Sequence, residues 1–384
     1  MHRLRVNAAI TAFKGVFLYP QIIVCLYQSI ILAIKAASTT AKHIPSVLWG
    51  SPKKYFSRYY RMVGMTLLDS ILDAEKLVRK HLRLTPIEYS AHLSKQNGAE
   101  VYLKLENFQV TGSFKARGAI NKLSNLNDKE KALGIITASS GNHGLGVATG
   151  AKKLDIEATV YVPTYADYSK VQAIELAGAK TKQKGDDCVI TESIAREKAE
   201  ASGKTYISPY NDLKVIAGQG TIGVELVQQL GNLDAVFISL GGGGLISGIG
   251  AFLKQASSQT EVIACSPSQS PAMHACMEAK SIIDVHCYPT LSDATAGGVE
   301  EGSITLDLCC RYIDQSILVE EEEIKLAMLS MMEHHHMMVE GAAGVAVAAF
   351  QKVKNKYQGK KVAILICGGN IGIDKLRDLL NSSN

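Results

Sequence analysis

The stretch Ala235-Val236-Phe237-Ile238-Ser239-Leu240-Gly241-Gly242-Gly243-Gly244-Leu245 decides the fold. Its first six residues are short and almost wholly apolar, as in a strand covered on both faces of a parallel sheet. Four glycines then turn the chain toward a helical run that starts at Leu245. Glycines directly after a parallel strand stand where α/β folds place ligand-binding loops, at the carboxyl ends of the strands. Other segments repeat the grammar. Val362-Ala363-Ile364-Leu365-Ile366 runs into Cys367-Gly368-Gly369-Asn370, and Gly134-Ile135-Ile136-Thr137-Ala138 runs into Ser139-Ser140-Gly141-Asn142-His143-Gly144. Val101–Leu105, Thr159–Val162 and Val262–Cys265 read as further strands, and helical stretches lie between them. The expectation is a doubly wound α/β architecture with no internal repeat.

Four glycines in succession let backbone N–H groups wrap a phosphate, and the helix that follows points its positive end at the charge. A dinucleotide site fits less well, because G-x-G-x-x-G is matched only loosely and no acidic residue stands at the usual distance beyond it. The Ser139–Gly144 loop, at the start of a helix near Asn142, has the character of a carboxylate clamp, or of an ordinary N-cap. In Thr111-Gly112-Ser113-Phe114-Lys115-Ala116-Arg117-Gly118-Ala119 one lysine opens a helix among small and aromatic residues. Apolar surroundings and a positive helix end both lower a lysine pKa and favour a nucleophilic amine.

The 384 residues suffice for two lobes sharing a cleft, and the 33 glycines against 9 prolines suit a packed α/β chain. The net charge of +5 is unevenly placed. Nine Lys or Arg and no acidic residue precede Asp69, which leaves 32 basic against 36 acidic residues for the remainder. That balance excludes a nucleic-acid footprint on the folded body. Eight cysteines without a C-x-x-C pair indicate free thiols in a reducing compartment. Neighbouring helical residues point in different directions, so the run His334-His335-His336 is read as helix-surface histidines and no metal is assigned there. Gly15 to Ile34 carries no charge over twenty residues with basic flanks. Within the extension 1–65, three readings stay open: a membrane anchor making contact through 15–34, a mitochondrial targeting segment, or translation starting at Met62 or Met65. The catalytic part is expected in the cytoplasm.

From about residue 66 to the C-terminus, the four motifs around Lys115, Asn142, Gly241 and Cys367 resemble, in order, the serine/threonine dehydratase and serine racemase group of fold type II pyridoxal-phosphate enzymes. The resemblance implies a tryptophan-synthase-β-like fold with pyridoxal 5'-phosphate between a large domain (66–132 and 211–384) and a small one (133–210). It implies that Lys115 carries the cofactor as a Schiff base and serves as catalytic base. Phe114 packs by the ring, Asn142 bonds the ring hydroxyl oxygen, and Gly241, Gly242, Gly243, Gly244 and Leu245 hold the phosphate. Cys367 faces the pyridine nitrogen, and Glu340 matches a family glutamate near the cofactor. Ser139, Asn142 and His143 grip the substrate carboxylate, and Ser140 is a second acid/base candidate. A homodimer is usual in the group.

The expected reaction is elimination of water and then ammonia from L-threonine or L-serine, giving 2-oxobutanoate or pyruvate. Serine racemisation and dehydration of another hydroxy-amino acid such as 3-hydroxyaspartate are the alternatives. A β-replacement synthase is disfavoured, because that group resembles Ser-Gly-Asn-Thr-Gly where this chain has Ser-Gly-Asn-His-Gly. A non-catalytic, membrane-tethered cofactor binder is disfavoured by the retention of Lys115. The racemase-type metal site needs acidic residues after Val262–Cys265, but the chain continues Ser266-Pro267-Ser268-Gln269-Ser270. No metal is expected there.

Overall fold

The computed structural model describes residues 66–186 and 188–381; the candidate anchor at 15–34 lies outside them. Helix α1 (Leu67–His81) starts with a capping box between Thr66 and Asp69, which satisfies end groups the helix cannot pair internally. Strand β1 (Ile87–Tyr89), α2 (Ala91–Asn97) and β2 (Glu100–Leu105) follow, then α3 (Lys115–Ser124) and α4 (Asp128–Leu133). Next come β3 (Ile135–Ala138), α5 (Asn142–Lys153), β4 (Ala158–Val162), α6 (Tyr168–Leu176), β5 (Lys180–Gln183), α7 (Cys188–Ser202) and β6 (Thr205–Tyr206). The chain continues through α8 (Leu213–Leu230), β7 (Ala235–Ser239), α9 (Gly244–Ala256), β8 (Glu261–Pro267), α10 (Ala272–Ala279) and α11 (Thr305–Tyr312). It closes with β9 (Gln315–Val319), α12 (Glu321–His335), α13 (Gly341–Val353), β10 (Lys361–Ile366) and α14 (Ile373–Asn381).

Two sheets result. One has the order β5-β4-β3-β6 and is wholly parallel; the other has the order β1-β2-β10-β7-β8-β9, antiparallel only between β1 and β2. The last strand in sequence, β10, therefore lies in the middle of the larger sheet. Its register pairs Ile366 with Leu105, so the segments leaving β2 and β10 emerge side by side, and β7 flanks β10 on the other edge. This crossover gathers at one sheet end the loops that hold Lys115, Cys367 and Gly241. The core of the larger sheet packs Phe237 edge-on against both Phe350 and Tyr357, at 5.5 and 5.3 Å between ring centroids. A separate core around Ile135, Val147, Val160 and Ile174 fills the smaller sheet.

A buried ionic cluster fixes the helix that begins at Lys115. Arg117 is fully buried and spans two carboxylates, reaching Glu106 at 2.7 Å and Glu225 at 2.6 Å. Lys104, also fully buried, joins Glu225 at 2.5 Å, and Arg79 pairs with both Glu225 and Glu75. Burial pushes the Glu225 carboxyl up, but the guanidinium of Arg117 and the other cations outweigh it and hold the pKa down to about 2. The cluster ties β2, α1 and α8 to the first turn of α3.

His334 and His335 close α12, and His336 ends it with φ +54°. His334 stacks on His92 at 3.6 Å and His335 bonds Ser90 Oγ at 3.0 Å. Among the described residues no group of three or more His, Cys, Asp and Glu is arranged to hold a metal ion.

Candidate active site

The loop before α3 is sewn to the loop after β10. Ser113 bridges Gly368, the Phe114 N–H donates to the Cys367 carbonyl at 3.0 Å, and the Gly369 N–H donates to the Gly112 carbonyl at 2.9 Å. Lys115 thus starts its helix one residue after the Phe114–Cys367 bond. Its amine donates to the Pro209 carbonyl at 3.1 Å and lies 5.3 Å from the Phe114 ring centroid. Burial disfavours the ammonium and, against the opposing pull of Cys367 and Glu340, brings the pKa down to about 8. Cys367 is buried, with its thiol pushed well above the ordinary range by burial and by the nearby Glu340.

Opposite lies the glycine turn. Gly243 adopts φ +84°, a conformation that side-chain-bearing residues rarely take, and a Cβ on Gly242 would sit 2.5 Å from the Tyr210 ring. The turn is consequently walled by backbone, and α9 starts at Gly244 with its N–H groups free to meet an anion. The cleft between lysine and glycine turn is also bordered by Asn142, Leu245 and Glu340. Glu340 forms the N-cap of α13, and both of its carboxylate oxygens accept from the Asn142 amide nitrogen, at 2.9 and 2.8 Å. Burial raises its carboxyl to about 7, with the Asn142 bond partly offsetting the rise.

Of the residues singled out in the sequence, Phe114, Lys115, Asn142, Gly241 to Gly244, Leu245, Glu340 and Cys367 all border this one cleft. Ser139, Ser140 and His143 are not among its lining residues. The Ser139 hydroxyl accepts from the Gly141 N–H at 3.2 Å. His143 is buried, with Nε2 at 3.0 Å from the Ile207 carbonyl, and burial together with the charge of Lys115 lowers its pKa to about 3. Its ring is neutral and meets the backbone of the smaller sheet's core through Nε2. Lining residues that the sequence did not single out include Tyr210, Ser239, Ala294 and Thr295. Ser239 could have been suspected, because it is the polar residue inside the apolar run before the glycines. The other three come from loops without a recognisable pattern.

The donor set fits a phosphate-bearing aldehyde: an amine of lowered pKa, a backbone cradle of four glycines, and an aromatic neighbour. The profile of the family described as pyridoxal-phosphate dependent enzyme matches residues 78–368. The chain belongs to this family. It is 39% identical over 319 residues to the L-threonine ammonia-lyase of Thermotoga maritima, covering 83% of this chain and 79% of that one. Among solved structures, the processed form of threonine deaminase isoform 2 from Solanum lycopersicum superposes with a TM-score of 0.78 at 30% identity, covering 90% and 99% of the two chains. Maize serine racemase gives 0.77 at 28% identity, covering 82% and 97%. The fold is that of the fold type II enzymes, and the protein is a pyridoxal-phosphate-dependent enzyme.

Proposed function

We propose that the protein is an ammonia-lyase that converts L-threonine or L-serine to 2-oxobutanoate or pyruvate plus ammonia. The observation that carries this reading is the buried Cys367, whose thiol stays neutral in the cleft that Lys115 also lines. When bound, pyridoxal phosphate supplies the electron sink that makes the Cα–H of an amino acid acidic. Gly241 to Gly244 and the start of α9 would hold its phosphate, and Cys367 would lie at the ring nitrogen. A neutral thiol there leaves that nitrogen without a charged partner, which tempers the sink and favours loss of a β-substituent over transamination. Lys115 anchors the cofactor between turnovers and removes the Cα proton during them; an amine near pKa 8 is unprotonated in a useful fraction at neutral pH. The backbone of the 139–142 loop, at the start of α5, takes the substrate carboxylate.

This reading includes a small domain of 133–210 set in a large one, and a homodimer. Among the described residues no helix is long and apolar enough to cross a membrane. The likeness to maize serine racemase, together with the Ser139-Ser140 pair, favours serine racemisation as a second reading. Assaying 2-oxo acid and D-serine from a panel of hydroxy-amino acids tests both. The ammonia-lyase reading expects 2-oxo acid from L-threonine or L-serine to dominate; D-serine forming faster than pyruvate, or 3-hydroxyaspartate being the preferred substrate, overturns it.

A further inference from the structure

We propose that Asn370 is a positioning residue that fixes which way round the Asn142 amide faces the cleft. The Asn370 amide nitrogen forks, donating to the Thr111 carbonyl at 2.8 Å and to Asn142 Oδ1 at 2.6 Å. A backbone carbonyl only accepts, so the atom of Asn370 that meets Thr111 has to be the NH2 group. The same nitrogen meets Asn142, which must therefore answer with its oxygen. The Asn142 nitrogen is left pointing the other way, toward Glu340.

Glu340 cannot set this orientation unaided. With its carboxyl near pKa 7 it is in part protonated at neutral pH, and a protonated carboxyl donates to an amide oxygen as readily as an ionised one accepts from an amide nitrogen. The Thr111 carbonyl has no such second state. Asn370 is also seated by the chain around it: Gly112 has φ +70° and a Cβ there would collide with Asn370 Oδ1, while the Gly369 N–H bonds the Gly112 carbonyl. The seam that places Lys115 thus also places Asn370. One hydrogen of the Asn142 amide nitrogen can serve both Glu340 oxygens, which leaves the other for an acceptor in the cleft that Asn142 borders, such as the oxyanion of the cofactor ring. The inference rests on the reading that Asn142 contacts the cofactor.

An isosteric swap separates orientation from packing. Asn370→Asp keeps the shape but only accepts, so it repels the Thr111 carbonyl and draws the Asn142 nitrogen toward itself, turning an oxygen to the cleft. Asn370→Ala merely releases the amide. A packing role makes Asp the milder change; the orienting role makes it the worse one. The test measures the pyridoxal-phosphate dissociation constant and the visible absorption of the loaded full-length protein, with circular dichroism checking the fold. Asn370→Asp is expected to weaken binding about tenfold and to shift the absorption as Asn142→Ala does, Asn370→Ala about threefold, and Asn370→Ala added to Asn142→Ala is expected to change nothing further. An Asp variant as mild as the Ala variant, or additive effects in the double variant, overturns the proposal while leaving the role of Asn142 intact. An Asn142→Ala protein that binds the cofactor like wild type overturns both.

Discussion

Replacing Lys115 by methionine should make the cofactor-free protein more stable. The amine titrates near pH 8 in the folded chain against an ordinary value of 10.5. At pH 7 about a tenth of it is neutral, roughly 300 times the fraction of a free lysine. The same shift is a stability cost. Between about pH 8 and pH 10.5 the unfolded chain keeps the lysine proton and the folded chain has released it, so stability rises with pH through that window. Below about pH 8 the folded protein carries the full cost of an ammonium in a poorly solvated place. At about 1.4 kcal/mol per pH unit, the difference of 10.5 and about 8 corresponds to roughly 3 kcal/mol. Methionine has similar volume and no charge. Apo Lys115→Met should therefore exceed apo wild type by about 2–3 kcal/mol at pH 7, and the gap should close as the pH approaches 10.5. Urea denaturation of both proteins across this range measures it. A methionine variant of equal or lower stability at pH 7, or a gap independent of pH, would refute the account of Lys115 as a lysine primed by burial.

Three further outcomes follow from the same structure. Arg117→Met leaves Glu106 and Glu225 buried beside fewer cations, and should cost about 3–5 kcal/mol in urea denaturation; a loss below about 1 kcal/mol would show that Lys104 and Arg79 suffice. Gly242→Ala should weaken cofactor binding at least about tenfold with unchanged circular dichroism, because the new methyl meets the Tyr210 ring at 2.5 Å; near-normal affinity would mean that the turn is not the phosphate cradle. Glu340→Gln should remove an inflection near pH 7 from the pH dependence of kcat/KM, since the carboxyl that titrates at about 7 becomes an amide; an inflection that persists belongs to another group.

What could be read from the sequence follows how locally each feature is encoded. Strands β3, β4, β7, β8 and β10 could be located because parallel strands covered on both faces are runs of apolar residues, and β2 because Val101, Leu103 and Leu105 alternate with Tyr102 and Lys104. Strand β5, Lys180-Thr181-Lys182-Gln183, is polar and mostly exposed at a sheet edge, and β6 has only two residues, so neither carries that signal. The cofactor cleft was legible because glycine runs and a lone lysine at a helix start have few other uses together. Tyr210, Ala294 and Thr295 enter the cleft through tertiary packing of loops, which no spacing announces. His143 marks another limit: its loop reads as a clamp for an anion, whereas the contact of its ring with the Ile207 carbonyl is set by the packing of the smaller sheet.

The ionic cluster was the least legible part, and it explains how the site can hold a lysine at a cost. Helix α3 begins without a side-chain cap: Phe114 occupies the N-cap and offers no acceptor to the first N–H groups. Lys115, the first residue of that helix, adds an amine that burial works against. Such a helix start would fray if left to local interactions. Two long-range attachments hold it: the seam to Cys367 and Gly368 before the lysine, and the Arg117 fork to Glu106 and Glu225 after it. Lys104, Arg117 and Glu225 look in the sequence like ordinary solvated charges on a strand and two helices, and they become a cluster only when β2, α3 and α8 pack. The reactive residue can be found from local pattern, whereas the residues that keep it in place can be found only from the fold.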